Sequence, residues 1–195
     1  GGGEGRGEVG EPPAHAHLTR PALRAEHPLP PTGRRGVLFR CGAEAVLGLV
    51  SLTVVAGGFV AGLNAGLTYN TFPLMDGSFV PAGYAQLEPF IRNWFENVAA
   101  AQFDHRVLAM TTVASVLALW LAGRRASLPA PVKWALHALL AIVLLQLALG
   151  IATLLLVVPI PLAAAHQAGA VLLLTAAIVL RHSLHRGAHE PAGLR

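Results

Sequence analysis

Charge is scarce in this 195-residue chain. Asp, Glu, Lys and Arg together make up 12% of it, where an ordinary soluble domain carries ~25%. Apolar residues reach 54%, and the mean hydropathy is +0.56. Those figures exclude a disordered chain and a soluble nucleic-acid binder. Cysteine is limited to Cys41, which excludes an internal disulfide scaffold and leaves the redox compartment undefined. Lysine is nearly missing: Lys133 stands against 13 arginines, a sign of a GC-rich genome with no functional content. No methionine precedes Met75, so the sequence reads as a fragment or an internal piece.

What remains is apolar sequence in long runs. Residues 45–75, 107–123 and 134–180 contain no Asp, Glu, Lys or Arg. A hydrocarbon core of ~30 Å needs ~20 helical residues. The first run predicts a span over about 45–66. The second predicts one over about 98–122, if it borrows the turn before it. The third run is too long for one span and holds Pro159 and Pro161, which break a helix. It divides into spans over about 134–157 and 162–180. The expected fold is therefore all-α and integral to the membrane: a four-transmembrane-helix bundle in the lipid bilayer.

Loop charge sets the expected orientation. Arg34, Arg35 and Arg40 precede the first span. Arg124, Arg125 and Lys133 follow the second, and Arg181, Arg186 and Arg195 follow the fourth. All lie on one side, which reads as cytoplasmic, with the C-terminus there. The opposite segment holds Asp76, Glu88, Glu96 and Asp104 against Arg92 and Arg106. The sequence pI of 10.2 thus reflects membrane topology, and no nucleic-acid partner is expected.

Residues 1–36 are rich in Gly, Pro, Arg and His and read as a disordered or aberrant segment. They have no apolar h-region, so they are not a signal peptide. The four-helix domain is expected over 37–185, with a cytoplasmic tail over 186–195. His15, His17 and His27 read as solvated linker, and His182, His185 and His189 as a frayed helix end.

Two histidines are different. His105 lies about seven residues into the second span and His166 about five into the fourth, both counted from the outer side. At 1.5 Å per residue they share a depth of roughly 6–12 Å. An ionisable residue inside a membrane is costly and marks a candidate site. Two imidazoles at matched depth suit the axial positions of a haem iron; interhelical packing is the competing explanation. Each histidine sits on the second helix of a hairpin whose first helix is Gly-rich, around Gly57-Gly58 and Gly150, which hints at a parallel repeat. His137 lacks a partner at its depth and reads as interfacial. Gln146 and Asn64 read as interhelical hydrogen-bonders. Gln102 and Arg106 flank His105 near the outer mouth. Arg106 suits a haem propionate or pairing with Glu96 or Asp104. The long outer segment carries Phe72, Tyr84, Phe90, Trp94 and Phe95, which favour the membrane interface; a short surface helix is expected there.

Several runs resemble a known family. Gly58-Phe59-Val60-Ala61-Gly62-Leu63-Asn64-Ala65-Gly66 is followed by Tyr69-Asn70-Thr71-Phe72-Pro73-Leu74-Met75-Asp76-Gly77. Then come Glu96-Asn97, Gln102-Phe103-Asp104-His105-Arg106, Leu149-Gly150-Ile151-Ala152-Thr153-Leu154 and His166-Gln167. Over residues 45–180 the chain resembles the C-terminal half of haem A synthase. That family is an eight-helix, pseudo-duplicated membrane enzyme that oxidises a methyl group of haem o to the formyl group of haem a, for cytochrome oxidase. The resemblance implies that His105 and His166 are the ligands of a b-type haem iron (haem b), with Arg106 and Gln102 beside it. It implies that substrate haem o binds in the N-terminal half, which this sequence lacks. It further implies a bacterial inner membrane, with haem o synthase or an electron donor or acceptor as partners. Where the substrate half has a Glu three residues before its histidine, this half has Gln102. An amide cannot act as a base, so no catalytic residue is assigned, and the chain alone is not expected to make haem a. The competing expectations are a bis-His membrane cytochrome that only carries electrons, and a structural or transport bundle with packing histidines.

Overall fold

The computed structural model describes residues 33–186 and the first two residues. The readings made for His15, His17, His27, His189 and the far tail lie outside the described residues. Four long helices dominate: α1 (Gly33–Gly62), α3 (Val98–Arg124), α4 (Ala130–Leu155) and α5 (Ile160–Arg186). A single turn, α2 (Asn93–Glu96), precedes α3. Each long helix is apolar enough to cross a membrane, with hydropathies from 1.6 to 2.6 over its best window. The described residues form no strand beyond one bridge between Met75 and Ser78. The all-α, four-span expectation stands.

The helix ends differ from the expected spans for local reasons. α1 begins at Gly33, because Arg34, Arg40 and Glu44 end the apolar stretch without ending the helix. It stops at Gly62, ahead of 66: Asn64 takes a left-handed conformation at φ 52°, which Asn tolerates. Asn64 is thus an exposed turn residue, not an interhelical hydrogen-bonder. α5 runs on past the apolar stretch to Arg186, and Arg181 reaches Glu44 on α1 at 2.7 Å. His185 also lies against Glu44, at 3.3 Å. Pro161 falls in the first turn of α5, where its missing N–H costs nothing. The reversal itself is made by Val157 (φ 59°) and Val158 (φ 57°), a strained conformation for β-branched residues.

Hairpin α1–α3 packs beside hairpin α4–α5, with α1 also against α5 and α3 against α4. The core lies in the inner half. On α1 it uses Phe39, Ala43, Val46 and Val50; on α4 it uses Val132, Leu136, Leu139 and Val143. These two stripes share one spacing, offset by 93 residues. Thr112, Val116, Leu119 and Gly123 are buried on α3, and Leu173, Ala177, Leu180 and Leu184 on α5, offset by 61. The hairpins are two copies of one unit. Spacings of three and four keep each stripe on one helix face. A side chain at Gly123 would meet Leu136 Cδ1 at 2.6 Å, so the glycine permits close approach at the inner end.

The outer segment, 63–97, is tied down by polar side chains. Asn97 caps α3: its Oδ1 accepts from the N–H groups of Ala99 (2.9 Å) and Ala100 (3.1 Å). Its Nδ2 donates to the carbonyl of Gly83 at 2.7 Å and to Asn93 Oδ1 at 2.8 Å. Asn93, itself buried, accepts from Leu87 N–H at 3.0 Å and donates to the carbonyls of Leu87 and Phe90. This network holds α2, the expected short helix, against the outer end of the bundle. Phe95 packs edge-on to Phe59 of α1, and Phe90 and Trp94 stay exposed. Replacing Asn97 by Ala removes a cap and a buried anchor together. The expected loss is about 1–3 kcal/mol, read as a lower melting temperature in detergent. Unaltered melting would show the cap to be idle.

Candidate functional site

Above the apolar core the two hairpins present one histidine each. In the first, the His105 ring lies close against the α1 backbone: a Cβ at Gly57 would stand 3.1 Å from His105 Cε1. In the second, a Cβ at Gly150 of α4 would stand 2.9 Å from His166 Cε1 and 3.5 Å from its Nδ1 and Nε2. Each ring therefore occupies the space that any other residue would fill. Gly57 and Gly150 carry the same 93-residue offset as the core stripes, and His105 and His166 the same 61. The two ring seats are equivalent positions of the repeat.

The ring nitrogens are placed unequally. His105 Nδ1 lies 3.2 Å from the backbone carbonyl of Thr53, one turn before Gly57. A donor N–H there fixes the tautomer and leaves Nε2 as the free lone pair. Thr53 is itself held, its hydroxyl 2.7 Å from the Leu49 carbonyl and 2.9 Å from Thr112 Oγ1. Gln146 stands where Thr53 does in the other repeat. His166 Nδ1 is buried without a hydrogen-bond partner.

The flanking residues are all engaged. Gln102 is 2% exposed, and its Nε2 donates to the Ala65 carbonyl at 2.9 Å. Arg106 donates to Gln102 Oε1 at 3.1 Å, to the Tyr69 carbonyl at 2.8 Å and to the Thr71 carbonyl at 2.9 Å. Its Nε is buried and unpartnered. Neither acidic partner considered for Arg106 is taken up by it. Glu96 pairs with Arg92 at 2.5 Å, which holds the Glu96 carboxyl below its ordinary range. Asp104 Oδ1 accepts from Tyr84 O–H at 3.0 Å. His137 is exposed, with Nδ1 2.6 Å from the Lys133 carbonyl, as an interfacial residue would be. Gln146 makes its interhelical bond, Nε2 donating to the His166 carbonyl at 2.8 Å. Gln167 is exposed.

Residue reasoning on the sequence picked out the histidines and the glycine-rich stretches but not the ring seats. The signal was available, since 57 and 150 align when the histidines are aligned through their hairpins. Among the described residues, no three His, Cys, Asp or Glu converge to hold a metal ion. A donor set of two imidazoles, each seated against a glycine, suits a macrocycle that brings its other iron ligands with it. The glycine cradles and the unpartnered Nδ1 of His166 are the observations that make the fit.

The architecture defines a multi-pass membrane unit built from two like hairpins, each seating one imidazole against a glycine. The chain belongs to the COX15-CtaA family, described as cytochrome oxidase assembly protein, which matches residues 16–178. It is 53% identical over 138 residues to a protein of Nitrosospira multiformis named Heme A synthase, covering 71% of this chain and 39% of that one. A protein of Granulibacter bethesdensis with the same name is 52% identical over 174 residues, covering 86% and 42%. Human Heme A synthase COX15 is 47% identical over 164 residues, covering 84% and 40%. The chain thus spans about two fifths of the length of these relatives. No solved structure matches it.

Burial and the bond to Asp104 push the Tyr84 hydroxyl above its ordinary value. A group whose pKa rises on folding stabilises the fold below its unfolded value, roughly pH 10 for Tyr, and loses that contribution as pH rises through the folded value. Thermal melts across roughly pH 9–11 should therefore fall more steeply for wild type than for Tyr84→Phe. Parallel curves would show that the outer segment does not feel this proton.

Proposed function

We propose that this chain works in haem A biosynthesis as a haem-binding four-helix half of the enzyme that oxidises the haem o methyl group to the formyl of haem a. His105 and His166 are its iron ligands, and the cofactor is haem b. The observation that carries the reading is the register of the two glycine seats, which gives equal depth to imidazoles from separate hairpins. The family membership and the relatives named Heme A synthase support the same reading.

The chain's own residues then divide the work. Gly57 and Gly150 make room for the rings. The Thr53 carbonyl fixes the tautomer of His105 and directs Nε2 inward. Arg106, its two terminal nitrogens spent on loop carbonyls and Gln102, keeps a buried Nε–H toward a propionate, and Gln102 holds the guanidinium in place. No side chain here is assigned as acid or base, since Gln102 is an amide. When bound, the haem would supply a one-electron relay for the oxidation, whose substrate haem o belongs to the other half of the enzyme. Haem o synthase and an electron donor or acceptor are the expected partners. The membrane is a bacterial inner membrane with the C-terminus cytoplasmic. Arg34, Arg40, Arg124, Arg125, Lys133 and Arg181 gather at one end of the bundle, and Asp76, Glu88 and Glu96 lie at the other, in keeping with the positive-inside rule.

A visible spectrum tests the ligands. The reduced protein should show a split α/β band pattern. Either His105→Ala or His166→Ala should abolish it or reduce haem content by about tenfold, as expected for loss of a metal ligand or its support. A folded, colourless wild type would refute the reading in favour of packing histidines. Pigment extraction after co-expression with haem o should yield no haem a from this chain alone. Orientation is tested by C-terminal fusions: a fluorescent protein should light up, and alkaline phosphatase should stay inactive. The reverse pattern would invert the topology.

A further inference from the structure

The two histidine seats share a glycine and a register, and differ beneath it. One turn before the seating glycine, the first hairpin has Thr53 and the second has Gln146. The Gln146 side chain crosses to α5 and donates from Nε2 to the His166 carbonyl at 2.8 Å. That bond fixes which end of the amide is oxygen. The oxygen, Oε1, is buried with no partner, and so is the Nδ1 of His166. Gly169, one turn beyond His166, makes room for the amide, since a Cβ there would collide with Oε1. An orphan acceptor and an orphan ring nitrogen therefore lie on residues already joined by a hydrogen bond. Leaving both unmet where they are buried costs more than joining them, directly or across one water.

We infer that Gln146 is the positioning residue of His166, its amide oxygen the acceptor for the Nδ1–H. His105 donates to a main-chain carbonyl, whereas His166 is tuned by a replaceable side chain. The two ligands of one metal are thereby made unequal. This rests on the proposed reading that both imidazoles ligate haem.

A ligand imidazole whose Nδ1–H meets a good acceptor is a stronger donor to iron, and a stronger donor favours the oxidised metal. The test uses the full chain reconstituted with haemin, by redox titration and low-temperature electron paramagnetic resonance. Gln146→Leu removes the acceptor and should shift the midpoint potential positive, with haem content retained. Gln146→Glu offers a stronger acceptor and should shift it negative. The low-spin resonance should move in both variants. A merely structural role would move both potentials the same way, and reliance on the main-chain carbonyl of residue 146 would leave both at the wild-type value; either result overturns the inference. Should Gln146→Leu fail to accumulate, Gln146→Glu against wild type is still expected to shift negative, and an unchanged or positive potential overturns the inference. A wild type that takes up no haem fails at the earlier step and refutes the proposed function itself.

Discussion

An imidazole inside a bilayer needs a place for its ring and a partner for its nitrogens, and this requirement governs the outer half of the bundle. Water is not there to satisfy stray donors. The solution has two parts. A glycine on the facing helix removes the side chain that would occupy the ring's space. In the first hairpin a carbonyl one turn below it meets Nδ1, whereas in the second Nδ1 is buried without a partner. With Nδ1 of His105 committed to its own hairpin, its Nε2 is the nitrogen left free.

The remaining fold follows from holding those hairpins in register. The apolar stripes of α1 and α4 end at Val50 and Val143, a single turn below Thr53 and Gln146. Burial of this size contributes of order 25 cal/mol per Å² of apolar surface, and it is concentrated in the inner half. The histidine layer therefore stands on a packed base.

Much of this was legible in the sequence. Charge-free runs and the Pro159–Pro161 pair divide the chain into four spans, and the matched depth of His105 and His166 marks the site. Helix ends were less legible, because hydropathy reports where the bilayer stops and not where hydrogen bonding stops. Arg40 and Glu44 continue α1 beyond its apolar part, while Asn64 ends it by taking a left-handed φ. The partners of Arg106 were not legible either. Glu96 and Asp104 are near in sequence, but Arg92 and Tyr84 reach them first. Arg106 is met instead by carbonyls of the 69–71 stretch, and main-chain acceptors leave no trace in residue identity. Gln146 looked like a generic interhelical amide, since its meaning depends on standing opposite Thr53 in the other repeat.

The long outer segment is the main departure from two-fold likeness, and its contacts explain its place. The first hairpin has it; the second reverses in a few residues at Val157 and Val158. Asn70 joins the two, donating from Nδ2 to the Gly66 carbonyl at 2.7 Å and to the Leu154 carbonyl at 2.9 Å. Leu154 lies in the last turn of α4, one turn above the seat at Gly150. Gly66 in turn approaches Val158: a Cβ there would stand 3.0 Å from Val158 Cγ2. The segment inserted in one hairpin thus braces the strained reversal of the other, while Arg106 draws its 69–71 stretch down beside His105. The loop thus ties the outer ends of both hairpins together, as the core ties their inner ends.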